Sequence, residues 1–233
     1  MTNKKNNLAE LEERMEITFD KMELLELAFV HKSFINENSG VIESNERLEF
    51  LGDAVLELVV TQYLYNTYPD TNEGVLTNWR SALVKGKNLA HVARGLKLGS
   101  HLKLSKGEDS SGGRDKDYIL ANTTEAVIGA IYLDKGYEVA KGFIDRYIIR
   151  YLDDIIAQGL HIDAKSHVQE LTQDKIGVTP HYTLIDESGP DHSKIFLMGI
   201  YFGDDLVGQG KGQSKQAAEQ EAARDALTKK GWV

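Results

Sequence analysis

Asn45-Glu46-Arg47-Leu48-Glu49-Phe50-Leu51-Gly52-Asp53-Ala54-Val55-Leu56-Glu57 is the stretch that decides how this chain reads. Leu48, Leu51 and Val55 recur at three- and four-residue spacing, the period of a helix buried along one side. Glu46, Glu49 and Asp53 stand at i, i+3 and i+7, so the same helix carries three carboxylates on one face. Such a stripe is either a solvated face or an oxygen-donor site for a hard cation such as Mg²⁺, which takes a few protein carboxylates beside water and phosphate. Two features favour the cation. Gly52 interrupts an apolar run, at about 1 kcal/mol relative to Ala, and marks a close backbone or ligand approach. Further along, Glu125 lies inside Ile119-Leu120-Ala121-Asn122-Thr123-Thr124-Glu125-Ala126-Val127-Ile128-Gly129-Ala130, a second apolar helix. An unpaired carboxylate among apolar side chains is costly, so the two helices are expected to cross with their acids converging on a cation or a cationic partner.

Outward from this pair, residues 8 to about 157 read as helix after helix. Leu24, Leu25, Leu27 and Ala28 open the periodic series, and Leu58, Val59 and Tyr63 continue it beyond the signature. Turn residues fall at Tyr68-Pro69-Asp70 and at Gly95-Leu96-Lys97-Leu98-Gly99. The long hydrophilic stretch Ser105 to Arg114 reads as a flexible connection. After Ile156 the pattern changes: a helix over 165–175, strand composition at His181–Ile185 and Ile195–Phe202, a turn at Gly203-Asp204-Asp205 into Leu206-Val207-Gly208, and an Ala-rich helix from Ser214 to Lys230. The expected architecture is an all-α domain over 7–157, followed by a small α+β domain over 163–232 with the order helix, three antiparallel strands, helix.

Composition narrows the function. The 233 residues carry 27 Lys+Arg against 36 Asp+Glu, a net charge of −9 that argues against a uniformly electropositive nucleic-acid surface and leaves room for local basic patches. The absence of Cys removes disulfide scaffolds, thiolate-ligated zinc and thiol catalysis, so any metal site uses carboxylates or histidines. The N-terminal MTNKKNN has no apolar stretch behind it, and the run from Phe50 to Tyr65 is broken by Asp53 and Glu57, so neither a signal peptide nor a membrane span is expected.

The quoted signature resembles that of the ribonuclease III family, the double-strand-specific endoribonucleases, in its short bacterial form. The supporting pieces come in family order: His31-Lys32-Ser33-Phe34, Asn72-Glu73-Gly74-Val75-Leu76-Thr77, Gly112-Gly113-Arg114, then the helix holding Glu125. The resemblance implies Glu49, residue 122 and Glu125 as metal ligands, Asp53 and Glu125 as the catalytic acids, and Glu46 and Glu73 as acids lining the cleavage valley, Glu73 acting across a dimer. It implies Mg²⁺ as cofactor, with Mn²⁺ able to substitute, and no organic cofactor. One position departs from the family. Asn122 stands where the family has Asp, keeping one oxygen for a metal and losing a full charge, which is expected to impair cleavage.

The C-terminal half resembles a double-stranded-RNA-binding domain, chiefly in Gly210-Lys211-Gly212-Gln213-Ser214-Lys215-Gln216-Ala217-Ala218. Ser214 is placed to cap the helix, and Lys211 and Lys215 add charge at its anion-attracting end. Ala217, Ala218, Ala222, Ala223 and Ala226 offer a small-residue face to the sheet. Gln216 replaces a family Lys, which implies weaker phosphate binding. Gln169 and Glu170 on the first helix, and Gly189-Pro190-Asp191-His192 between the first two strands, match regions that reach 2′-hydroxyls and base edges in the wide minor groove of A-form RNA. His161, His167 and His181 read as ordinary surface or core histidines. The expectation is therefore a cytoplasmic, homodimeric, Mg²⁺-dependent nuclease acting on double-stranded RNA precursors, ribosomal RNA among them, dimerising around Phe50-Leu51. The alternative is a catalytically silent double-stranded-RNA-binding regulator, favoured by Asn122 and Gln216.

Overall fold

The computed structural model describes residues 2–38, 40, 43–157, 164–190 and 193–232. The chain divides into two compact units, Met1–His161 and Ile162–Val233. The first unit is helical: α1 (Thr2–Met15), α2 (Met22–Ala28), α3 (Lys32–Glu37), α4 (Glu46–Thr67), α5 (Glu73–Val84), α6 (Gly86–Gly95), α7 (Lys106–Ser110), α8 (Asp117–Lys135), α9 (Tyr137–Tyr147) and α10 (Leu152–Ala157), joined by short 3-10 turns. Helix α8 is apolar nearly all round because it lies at the centre of the unit, packed on α2, α4, α6 and α9. Its Ile119, Leu120, Val127, Ile128 and Ile131 meet Leu48, Val55, Leu56, Val59 and Val60 of α4 in one core. Side chains set the helix starts. Asn72 Oδ1 accepts the Val75 amide at 3.0 Å to begin α5, and Ser105 Oγ accepts the Glu108 amide at 3.1 Å to begin α7.

Two expectations in this unit are corrected. Leu58, read with the buried series of α4, is 58% exposed; with Phe50 (80%) and Tyr65 (73%) it forms an apolar stripe on the solvent side of the helix, next to the face that bears the acids. The stretch Ser105–Arg114 is also no plain connection. It folds into α7 and a 3-10 turn at Gly113–Asp115, because its charges pair locally. Arg114 donates from Nε and Nη2 to the Asp109 carboxylate at 2.7 and 3.0 Å, and from Nη1 to the carbonyls of Gly99 and Leu102 at 3.1 and 2.8 Å.

The second unit runs α11 (Ala164–Ile176), β1 (His181–Ser188), β2 (Ile195–Phe202), β3 (Asp205–Gly212) and α12 (Lys215–Lys230), with the antiparallel strand order β1-β2-β3. The turn between β2 and β3 is two residues, Gly203-Asp204, with Gly203 at φ 62°, a value glycine adopts without steric cost. Strand β3 continues to Gly212 rather than ending near Gly208. Its alternate glycines explain this. A Cβ at Gly208, Gly210 or Gly212 would lie 2.6, 2.1 or 2.5 Å from the backbone of α12 at Ala222 or Ala218. Glycine at period two and alanine at period four thus let strand and helix meet backbone to backbone. Ala218, Ala222, Ala223 and Ala226 are fully buried, and Ala217, though exposed, sets its methyl group against Gly212 at the end of the same seam.

Candidate active site and RNA-binding surface

Helices α4 and α8 cross in direct backbone contact. A Cβ at Gly52 would stand 1.7 Å from the carbonyl oxygen of Glu125, and one at Gly129 would stand 2.2 Å from that of Leu48. The approach anticipated at Gly52 is therefore to backbone, and Gly129 is its counterpart, which the sequence reading passed over. Glu49 and Asp53 lie a turn before and just after Gly52; Glu125 and Asn122 lie one and two turns before Gly129. The crossing consequently gathers these four side chains.

Their electrostatics carry the mark of enforced proximity. Glu125 is pushed up to about 7, first by burial and then by repulsion from Asp53 and Glu49. Burial also raises Glu49; hydrogen bonding from the Asn122 amide and the charge of Lys32 oppose the rise, while Glu46 and Asp53 add to it. Glu46, at the start of α4, is exposed, accepts from Ser44 Oγ at 3.0 Å and faces Lys32 at 3.5 Å. Glu73 is not brought to this cluster within one chain. It lines a groove with Thr61, Leu64, Tyr65 and Arg80, more than two turns of α4 beyond Asp53. Among the described residues no group of three or more His, Asp or Glu side chains is arranged as a metal site by itself. In the cluster Glu49 and Glu125 offer carboxylates, and Asn122 offers an amide. The donor set still suits a hard divalent cation, being all oxygen, and positive charge there would relieve the repulsion recorded at Glu125.

In the second unit Ser214 Oγ accepts the Ala217 amide at 3.1 Å and caps α12. Lys215 and Gln216 are exposed in the first turn. Lys211 pairs opposite Leu197 on β3 and alternates away from the glycine face, so only Lys215 of the two lysines belongs to the helix end. Gln169 and Glu170 are exposed on α11, and Pro190 is exposed after β1; His192 lies outside the described residues.

Residues 21–152 match the Ribonuclease-III-like family and residues 164–230 the double-stranded RNA binding motif. The chain belongs to the ribonuclease III family. It is 45% identical over 230 residues to Ribonuclease 3 of Pelotomaculum thermopropionicum, covering 98% of this chain and 95% of that one. Ribonuclease 3 of Borreliella afzelii is 43% identical over 224 residues, covering 96% and 91%. The solved nuclease domain of ribonuclease III from Campylobacter jejuni, described for flexibility in a region involved in dimer formation, superposes with a TM-score of 0.56 at 44% identity, over 60% of this chain and 94% of that one. The chain thus has a helical nuclease domain followed by an α+β RNA-binding domain. What sequence reasoning missed around the nuclease site is the ion pair of Lys116 with Glu108 just before α8, at 2.6 Å. Its only sequence signal is the Gly112-Gly113-Arg114 motif.

Proposed function

We propose that this chain is a homodimeric endoribonuclease that hydrolyses phosphodiester bonds in double-stranded RNA, leaving 5′-phosphate and short 3′-overhang ends, in the processing of ribosomal and other structured RNA precursors. The observation that carries the reading is the Gly52–Gly129 crossing, which forces Glu49, Asp53 and Glu125 together at a cost no purely structural helix pair needs. Glu49, Glu125 and the Asn122 side-chain oxygen are the groups that would hold Mg²⁺, or Mn²⁺ in its place. Bound there, the ion supplies Lewis acidity for the scissile phosphate and lowers the pKa of a water. Asp53, exposed beside the cluster, orients that water, and Glu46 lines the approach. Glu125 is the second catalytic acid. Helix α12, with Ser214, Lys215 and Gln216, holds phosphates, and Gln169, Glu170, Pro190 and His192 reach into the minor grooves, Lys211 adding charge on β3.

One acid cluster cuts one strand, so a duplex cut needs two. The stripe of Phe50, Leu58 and Tyr65 on α4 is the surface that supplies the second copy, and it would bring Glu73 of each copy toward the other. No helix among the described residues is long and apolar enough to cross a membrane; the proposed site of action, the cytoplasm, rests on the ribonuclease III reading.

The direct test incubates a perfect RNA duplex with the chain and with its Asn122→Asp variant in Mg²⁺. Slow cutting by the first and fast cutting by the second, both leaving 5′-phosphates, is the expected result. An inert Asn122→Asp protein that binds the duplex tightly in Mg²⁺ and in Mn²⁺ would establish the regulator reading instead.

A further inference from the structure

Two motifs remain without a role: His31-Lys32-Ser33-Phe34 and Gly112-Gly113-Arg114. The structure joins them. Residues 28–33 form a strap tied on one side to the start of α4. Asn45, which is only 3% exposed, sends its backbone N–H to the carbonyl of Val30 at 2.8 Å and its side-chain Nδ2 to that of Ala28 at 3.1 Å. On the other side the strap pairs with 103–105: Lys103 N–H donates to Phe29 O at 2.8 Å, His31 N–H to Lys103 O at 3.2 Å, and Ser105 N–H to Ser33 Oγ at 3.0 Å. The His31 ring fixes Ser33, with Nδ1 lying 2.8 Å from Ser33 Oγ and accepting its amide at 3.3 Å.

From Ser105 the chain of contacts continues. Its hydroxyl caps α7 through the Glu108 amide, and Glu108 receives Lys116 Nζ at 2.6 Å. Lys116 is the residue before α8, and its carbonyl accepts the Leu120 amide at 3.0 Å. The glycines make this pair geometrically possible. Gly112 turns the chain at φ 78°, and a Cβ on Gly113 would lie 2.8 Å from Glu108 Cγ, displacing the carboxylate. Arg114 then anchors the loop to Asp109 and to the 99–102 turn, as described above. A second clamp holds the same helix end: Arg94 Nε donates to Asp115 at 2.6 Å, and its Nη2 to Asp117 at 2.7 Å.

The two ends of this path are the N-termini of the helices that carry the acids. Glu49 is in the first turn of α4, and Asn122 is in the second turn of α8. We infer that strap, α7 and double-glycine loop form a brace between the two helix ends, and that Glu108 and Lys116 are positioning residues that set where residue 122 and Glu125 stand relative to Glu49. Neither residue reaches the acid cluster. They act through the axial position of α8; groups hydrogen-bonded directly to metal ligands are worth about 10–100-fold in metal affinity, and a support one step further back acts at the low end of that range. The inference rests on the metal-centre reading above.

Its test uses the full chain and Mg²⁺ alone as probe, by titration calorimetry, together with amide exchange of residues 117–123. Glu108→Gln and Lys116→Met are each expected to weaken Mg²⁺ binding about tenfold and to speed exchange in the first turns of α8. The double variant should lose no more than either single one, because both break one interaction. Lys116→Arg, which keeps the ion pair, should bind Mg²⁺ like the parent. If Glu108→Gln does not fold, the contrast of Lys116→Met with Lys116→Arg decides. Unchanged Mg²⁺ affinity in Lys116→Met, or equal loss in both Lys116 variants, overturns the brace while leaving the metal centre intact. No Mg²⁺ uptake by the unaltered chain overturns the metal centre and the brace with it.

Discussion

Gly52 touches Glu125 through backbone alone: with a methyl group on Gly52, the carbonyl oxygen of Glu125 would be 1.7 Å away. Gly52→Ala therefore forces α4 and α8 apart where the acids meet. Overpacking of this kind costs about 1–3 kcal/mol, and the displacement should also cut Mg²⁺-dependent cleavage beyond what the loss of folded protein explains. Urea melts and cleavage rates on the folded fraction measure the two effects separately. Cleavage at the parent's rate with unchanged stability would mean that the helices are free to separate.

Asn122 leaves one charge missing beside Glu49 and Glu125. Restoring it with Asn122→Asp should leave duplex affinity nearly unchanged, since binding in the ground state comes mainly from the C-terminal domain, and should raise the cleavage rate. A gain of about 3 kcal/mol at the transition state is roughly a hundredfold. Adding Glu125→Gln to that variant should remove the gain. Gel assays under single turnover, with binding measured in Ca²⁺, resolve both quantities.

Phe50 is 80% exposed on α4, so it contributes little to its own subunit. Phe50→Asp should leave the thermal melt of a folded chain in place while shifting sedimentation toward the 26.0 kDa monomer. A variant that stays dimeric would move the interface away from the α4 stripe.

Lys215 stands exposed in the first turn of α12. Lys215→Ala should weaken binding to all duplex sequences alike and lower the slope of log affinity against log salt by about 1, the behaviour of a phosphate contact. Titration at several salt concentrations shows it; an unchanged slope would leave Lys215 as a solvated lysine.

His101 packs its ring on Phe29 with 5.2 Å between centroids and lies 3.3 Å from Arg14 Nη2. Burial, with the Arg14 charge second, lowers its pKa to about 4 from the ordinary 6.5. Between these values the unfolded chain binds a proton that the folded chain does not, so His101 draws stability down as pH falls from about 6.5 to about 4, and its effect is constant above that window. Comparing urea stabilities of the parent and His101→Asn across pH 4 to 7 isolates this slope, which the variant should lack.

The fold was legible where side-chain periodicity is strong. Leu48 and Val55 on α4 and the apolar run of α8 announce a buried helix pair, and Gly52 announces its close approach. Periodicity fails at a helix with two apolar faces, which is why Leu58 reads as core and lies at the surface. Glycines are poor strand formers by propensity, so the end of β3 was hidden; what keeps Gly208, Gly210 and Gly212 extended is the helix behind them, a tertiary effect. Hydrophilic composition made Ser105–Arg114 look like a connector, because ion pairs such as Glu108 with Lys116 leave no periodic trace. At the site, the acids were legible as costly residues in apolar helices, whereas Gly129 and the Glu108–Lys116 brace depend on partners distant in sequence. Asn122 could be seen only as a departure from a motif; its hydrogen bonding to Glu49 required the fold.

The seam between β3 and α12 has a further meaning. At Gly208, Gly210 and Gly212 only hydrogen faces the backbone of α12, so no side chain at those three positions can change rotamer to let the helix slide or tilt. The Asp225 carboxylate ties the same helix to the Gln209 amide at 2.8 Å. The first turn of α12 is thus held at a fixed distance from the strands, so that the capped end of the helix and the sheet behind it move as one rigid piece.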